Sequence, residues 1–303
     1  VVFNLQQTRF RVQTQSSGTA HGFEFEEKIM ALRDILLHMS DDDLAQSRLD
    51  VALKLAQMHE AHLTALYVVR TVEIPTYVRA YIDEEILQAG QNRQLELAKD
   101  AEKAFLDQTS RNGISAEWRV AIGEDRELMN LHGRYADLAV VSQRHFATDV
   151  SSNSDNLAEE LVQSSACPVL TVPYVGKWPQ PGRRVLIGWN GRREAVRAVH
   201  DAMPFLEKAE EAIVYTVNPD DGDHISGADL CTHLARHGVN ALAKSTVSKD
   251  VDAGDLFLSA AFDMDIDLVV MGAYGHSRLR EQVMGGATRS VLDHMTVPVL
   301  MSH

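Results

Sequence analysis

Cysteine is scarce in this chain: Cys167 and Cys231 are the only two among 303 residues, and they form no Cys-x-x-Cys pair. That count excludes a disulfide framework and a thiolate metal site, and it points to a reducing compartment. Positive charge is also in short supply. Lys and Arg number 29 against 43 Asp and Glu, a formal net charge of -14. A nucleic-acid binder shows the opposite balance on a basic face, so no nucleic-acid partner is expected; the pairs Arg183-Arg184 and Arg192-Arg193 read as solvated surface. No apolar run reaches the roughly 20 residues that cross a bilayer. No membrane partner is expected, and the location read from these absences is cytoplasmic. The first 29 residues lack the apolar middle of a signal peptide and any clear period. They read as a disordered or expression-derived extension, with Met30 a natural start.

The usual catalytic and metal signatures are missing too. There is no Walker motif and no Gly-x-Gly-x-x-Gly, and Gly-His-Ser-Arg-Leu around Ser277 does not supply the Gly-x-Ser-x-Gly of a nucleophile elbow. His233 and His237 stand four apart on an expected helix, but no Glu follows His233, so they read as an exposed helix face. Asp263, Asp265 and Asp267 alternate like calcium ligands, yet Asp267 begins an apolar strand and the rest of a twelve-residue loop is absent. No catalytic residue and no metal ligand is assigned.

What is present is duplication. ADLAVVS (136–142) resembles IDLVVMG (266–272), and CPVLTVP (167–173) resembles VPVLMSH (297–303), both at an offset of 130. Earlier, ILLHMSDDD (35–43) resembles VLIGWNGRR (185–193) at an offset of 150. The first copy therefore carries about 20 extra residues, in the stretch YIDEEILQAGQNRQLELAKDAEKAFL. There Ile82, Ile86, Leu97, Ala101 and Phe105 recur at helix-compatible intervals, which predicts a long packing helix; Tyr77 and Tyr81 nearby leave a groove for a small apolar ligand as the lesser alternative.

Each copy alternates short apolar runs with helical patterns. In the second, RRVLIGW, AIVYTV, ALAKSTV, IDLVVMG and VPVLMS read as strands. Between them Ala195, Val199, Ala202 and Leu206 mark a helix, GADLCTHLARHG a second closed by Gly238, and DLFLSAAF and ATRSVLDHM two more. Apolar strands separated by helices predict a parallel sheet covered on both faces. Right-handed crossovers then give two tandem doubly wound α/β domains of five strands each. PYVGKWPQPGRR (173–184), with three Pro and two Gly, suits the connection. The expected division is domain 1 over 30–173, a linker over 174–182 and domain 2 over 183–303.

In such sheets ligands sit beyond the C-terminal strand ends, where strand order reverses. The segment MGAYGHSRLREQVMGGATRS (271–290) falls there. A helix opening at Gly285, Gly286, Ala287 and Thr288 offers unpaired N–H groups and the positive dipole end to a phosphate; tight turning alone is the competing reason for these glycines. The spacing Gly272-x2-Gly275-x9-Gly285, between Asp-Leu-Val-Val-Met-Gly and Pro-Val-Leu strands, resembles the nucleotide-binding signature of the universal stress protein family. Over roughly residues 30 to 303 the chain resembles a tandem member.

The resemblance implies an adenine nucleotide such as ATP in domain 2. Met271 and Gly272 would match the fourth-strand contacts, Gly275 the loop, Gly285, Ala287 and Thr288 the phosphate cradle, and Val217 the base pocket. His276 is placed to touch a terminal phosphate. Two departures stand out: Gly286 where the family has Ser or Thr, and Asn190 where ATP-binding members carry Asp. Asn190 still offers one acceptor and two donors. Domain 1 has no glycine in QRHFATDVSSNSDNLAEEL and has Ser40 in place of Asn190, so a degenerate site is expected there.

Family members dimerise through the Pro-Val-Leu edge strand. The resemblance therefore implies an intramolecular pseudo-dimer here, with a further homodimer left open. The function so implied is a stress-response sensor or interaction module. The alternatives are a slow Mg²⁺-dependent nucleotide hydrolase or phosphotransferase, and a non-nucleotide-binding scaffold or chaperone-like protein.

Overall fold

The computed structural model describes residues 32–70, 84–144, 156–219, 226–248, 250–274 and 286–303. The first half runs β1 (Asp34–Met39), α1 (Ala45–His59), β2 (His62–Val69), α2 (Glu84–Arg111), β3 (Ala116–Ile122), α3 (Asp125–His132), β4 (Leu138–Ser142), α4 (Leu157–Ser164) and β5 (Val169–Val172). The second runs β6 (Arg184–Gly188), α5 (Arg193–Leu206), β7 (Glu211–Val217), α6 (Gly227–Arg236), β8 (Ala241–Thr246), α7 (Ala253–Asp263), β9 (Leu268–Gly272), α8 (Gly286–His294) and β10 (Val299–Ser302).

Within each half the strands are parallel, and the order is that of a doubly wound sheet: β3-β2-β1-β4-β5 and β8-β7-β6-β9-β10. The halves join edge to edge. β5 pairs antiparallel with β10, with Leu170 opposite Leu300, Thr171 opposite Val299 and Val169 opposite Met301. Leu170 and Leu300 occupy equivalent places in the two copies, so the pairing is self-complementary, as a local twofold requires. One ten-stranded sheet results.

Alternation along each strand divides the core in two. Ile35, Leu37, Leu170, Val185, Ile187, Leu268, Val270 and Leu300 face α1, α2, α5 and α6. Leu36, Val169, Leu186, Val269, Met271, Val299 and Met301 face α3, α4, α7 and α8. The runs are apolar without interruption because both faces are covered. In α2 the inward residues are Leu95, Ala98, Ala101 and Phe105, while Leu97, expected on that face, is half-buried and outside the core clusters; the Phe105 ring lies 5.4 Å from Trp118 on β3. Ile82, Tyr77 and Tyr81 lie outside the described residues, as does the side chain of Ile86.

The punctuation follows local chemistry. Ser226 and Asp229 close a reciprocal capping box at the start of α6, and Gly238 just past its end takes φ +75°. Asp267, the last of the three alternating acids, accepts hydrogen bonds from the Gly182 and Arg184 amides at 2.9 and 3.1 Å. Its equivalent, Asp137, accepts from Arg33 and Asp34 at 2.7 and 3.0 Å. Each fastens the chain where its half begins.

Candidate functional site

β6 and β9 are neighbours, with Gly188 opposite Met271. From β6 the chain departs toward β7 and from β9 toward β10, so their C-terminal ends part at the reversal point of the second half. Asn190 follows β6 and is exposed. Its Oδ1 accepts the Arg192 amide at 3.0 Å, an Asx turn that shapes the approach to α5. Val217 ends β7 half-buried, opposite Thr246.

Met271 and Gly272 have packing duties at this edge. The Met271 side chain is 6% exposed and belongs to the core under α7 and α8. Gly272 is the last residue of β9, and a Cβ there would stand 2.4 Å from Glu194 C and Ala195 N. The first turn of α5 crosses the strand end so closely that no side chain fits. The same economy appears where α7 meets α8: a Cβ on Gly254 would lie 2.8 Å from Ser290 Cβ and 2.9 Å from the Ala287 carbonyl.

α8 opens with Gly286 exposed, Ala287 half-buried and Thr288 buried. Its first amides have no intrahelical acceptor. Beside them stands Asp252, the N-cap of α7. Oδ1 accepts the Gly254 amide at 2.8 Å, and Oδ2 lies 3.4 Å from the position of a Cβ on Gly286. Tyr274 leaves β9 in the left-handed region at φ +58°, uncommon outside glycine. Its hydroxyl is buried beside Gln163 and Glu159 of α4, and burial pushes its pKa up to about 12. Burial likewise raises the Glu159 carboxyl.

The second half thus brings Asn190, Val217, Met271, Gly272 and the start of α8 to one edge of the sheet. Gly275, His276 and Gly285 lie outside the described residues. Sequence reading missed Asp252, Gly254 and Tyr274. The first two had a signal, since Asp-Ala-Gly before an apolar helical run is an N-cap pattern; the backbone of Tyr274 had none.

The corresponding edge of the first half is chemically different. Arg48 of α1 is 2% exposed. Its Nε donates to the His38 carbonyl at 3.0 Å, and its remaining nitrogens reach Asp42 at 2.8 and 3.1 Å, Ser40 at 3.3 Å and Ser142 at 2.8 Å. Ser142 stands where the second half has Gly272, so the guanidinium bridges the ends of β1 and β4. Burial drives the Asp42 carboxyl up, and Arg48 more than offsets it, leaving its pKa below the ordinary value. On the other face His38 Nε2 meets Asp125 Oδ1 at 2.6 Å, and Arg70 Nε donates to Asp125 Oδ2 at 2.5 Å. Burial outweighs that carboxylate and keeps His38 low.

Among the described residues no group of three or more His, Cys, Asp or Glu side chains is placed to hold a metal ion. The rings of His233 on α6 and His237 just past its end lie with centroids 4.8 Å apart, tilted by 58°. Among the described residues no helix is long and apolar enough to cross a membrane.

Residues 182–303 match the model of the universal stress protein family. A universal stress protein from Archaeoglobus fulgidus superposes with a TM-score of 0.70 at 16% identity, over 89% of this chain and 95% of that one. A candidate universal stress protein from Pseudomonas aeruginosa gives 0.55 at 17% identity, over 90% and 93%. At these identities the likeness is one of fold, and it extends over both halves. No functionally curated protein matches the chain.

Proposed function

We infer, from the universal stress protein domain at residues 182–303, that this chain binds an adenine nucleotide, ATP or a close relative, in its second half and acts as a sensor or interaction module. The division that goes with this reading is a degenerate domain over 30–173, a linker over 174–182 and a nucleotide domain over 183–303. The observation that carries it is the contrast between equivalent edges. Arg48, Asp42 and Ser142 cross the crevice in the first half. The second half has Ala198 where the first has Arg48, and Gly272 where the first has Ser142.

In this reading the phosphates lie on the first-turn amides of Gly286 and Ala287, with Thr288, Gly275, Gly285 and His276 completing the cradle. Helix N-termini favour anions through those amides and the dipole. The base lies against Val217 and the strand ends, and Asn190 faces the sugar. Asp252 puts a carboxylate at the rim of the cradle, so the nucleotide is accepted with a divalent cation such as Mg²⁺ that lowers its charge. The donors for such a cation would be the phosphates themselves and Asp252.

Equilibrium binding of labelled ATP to the wild type and to Gly285→Asp tests the reading. The substitution sets an anion where the phosphates would lie, and a loss of affinity of tenfold or more is expected, about 1.4 kcal/mol. Equal binding by the two proteins removes the cradle from consideration.

A further inference from the structure

Gln143 follows β4 in the first half, yet its side chain serves the second. It is 2% exposed. Its Nε2 donates to the Leu292 carbonyl at 3.0 Å and to the Asp293 carbonyl at 3.1 Å, near the C-terminal end of α8. Its Oε1 accepts the amide of Tyr174, in the connection between halves, at 3.2 Å. The last carbonyls of a helix have no donor within the helix. Two carbonyls of α8 receive theirs from across the seam.

The arrangement is not symmetric. Gln143 corresponds to Ala273 in the second copy, and their backbones behave alike: the Gln143 amide donates to Val172 at 2.7 Å and the Ala273 amide to Ser302 at 2.9 Å. Alanine has no polar side chain to send across. The link therefore runs from the first half to α8 without a return copy. α8 has nine residues, and a helix that short is marginal in isolation. Its placement depends on what holds its ends.

We propose that Gln143 is a positioning residue for α8, through which the first half registers a nucleotide bound to the second. The proposal rests on the reading of the α8 N-terminus as the phosphate cradle. Binding at one end of a short rigid helix and hydrogen bonding at the other are thermodynamically linked, so any affinity that Gln143 lends the nucleotide is returned as tighter bonds at Gln143. The Tyr174 amide reports those bonds, because its acceptor is the Gln143 side chain itself. A residue of merely structural importance has no reason to report nucleotide.

The test uses the full chain as wild type, as Gln143→Ala, which copies the alanine of the other half, and as Gln143→Met, which keeps the volume and removes the hydrogen bonds. ATP titrations are combined with hydrogen exchange at the Tyr174 amide, with and without ATP. In both variants affinity is expected to fall about fivefold or more, the lower range of ordinary coupling. ATP slows Tyr174 exchange in the wild type and leaves it unchanged in the variants. If the wild type binds ATP but Tyr174 ignores it, or the variants bind as tightly, the proposal is overturned while the cradle stands. A wild type that binds no ATP overturns both.

Discussion

At the scale of single residues, glycine at 272 answers to packing before it answers to any ligand. The α5 backbone approaches to 2.4 Å of where a Cβ would be, and backbone cannot yield as the tip of a side chain can. Overpacking of a tight site costs about 1 to 3 kcal/mol, and Gly272→Ala belongs at the upper end. Urea unfolding should show a loss of about 3 kcal/mol. A loss below 0.5 kcal/mol would mean that α5 moves aside easily. A spacing motif could flag this glycine but could not supply its reason, because the helix that crosses it begins some 80 residues earlier in the chain. Arg48 was invisible for a similar cause. Its partners Ser142 and the His38 carbonyl come together only when β1 and β4 pair.

Among elements, α8 concentrates the chemistry. Its N-terminal amides face the rim occupied by Asp252, and its C-terminal carbonyls are held by Gln143. A carboxylate near those amides competes with a phosphate for the same positive field. Asp252→Asn removes the charge and retains the N-cap, since Asn caps a helix as well as Asp. Without Mg²⁺ at low salt, this variant is expected to bind ATP about fivefold more tightly than wild type, about 1 kcal/mol, as suits a screened unit charge near the surface. Unchanged affinity would place the phosphates away from α8. The elements themselves were legible in the sequence. Ala195, Val199, Ala202 and Leu206 are all buried on α5, and the apolar runs read as strands in the second half became β6 to β10. Periodicity reports which face is buried, and so it finds helices and strands. It carries nothing about which helix crosses which strand end, and the fine structure of the site depends on that.

Across the whole molecule, the seam between halves combines the β5–β10 ladder with side chains that cross it. One of them is sensitive to acid. His59 ends α1, is 3% exposed, and has no partner on either ring nitrogen. It packs edge-on against Phe205 of α5 at 5.5 Å, while Lys208 donates to the Met58 carbonyl at 2.5 Å. Burial, reinforced by the Lys208 cation, lowers its pKa from 6.5 to about 4. The folded chain thus resists a proton that the unfolded chain accepts. Stability contributed by neutral His59 is complete above pH 6.5 and declines as the pH falls toward 4, by about 3 kcal/mol in total. His59→Leu should flatten this part of the pH–stability curve, and a curve of unaltered slope would show that the ring finds a partner or water when protonated.

The duplication was readable from two constant offsets, and the sheet repeats one strand order in both halves. The chemical difference between the copies was readable only in part, as glycines present in one and missing in the other. The guanidinium that bridges the strand ends of the first half adds to that difference. It makes the number of bound nucleotides the decisive quantity. Native mass spectrometry of the intact chain, titrated with ATP and Mg²⁺, should show one nucleotide per chain and no second at saturation. Two nucleotides per chain would mean that Arg48 does not close the first crevice, and none would contradict the nucleotide reading altogether.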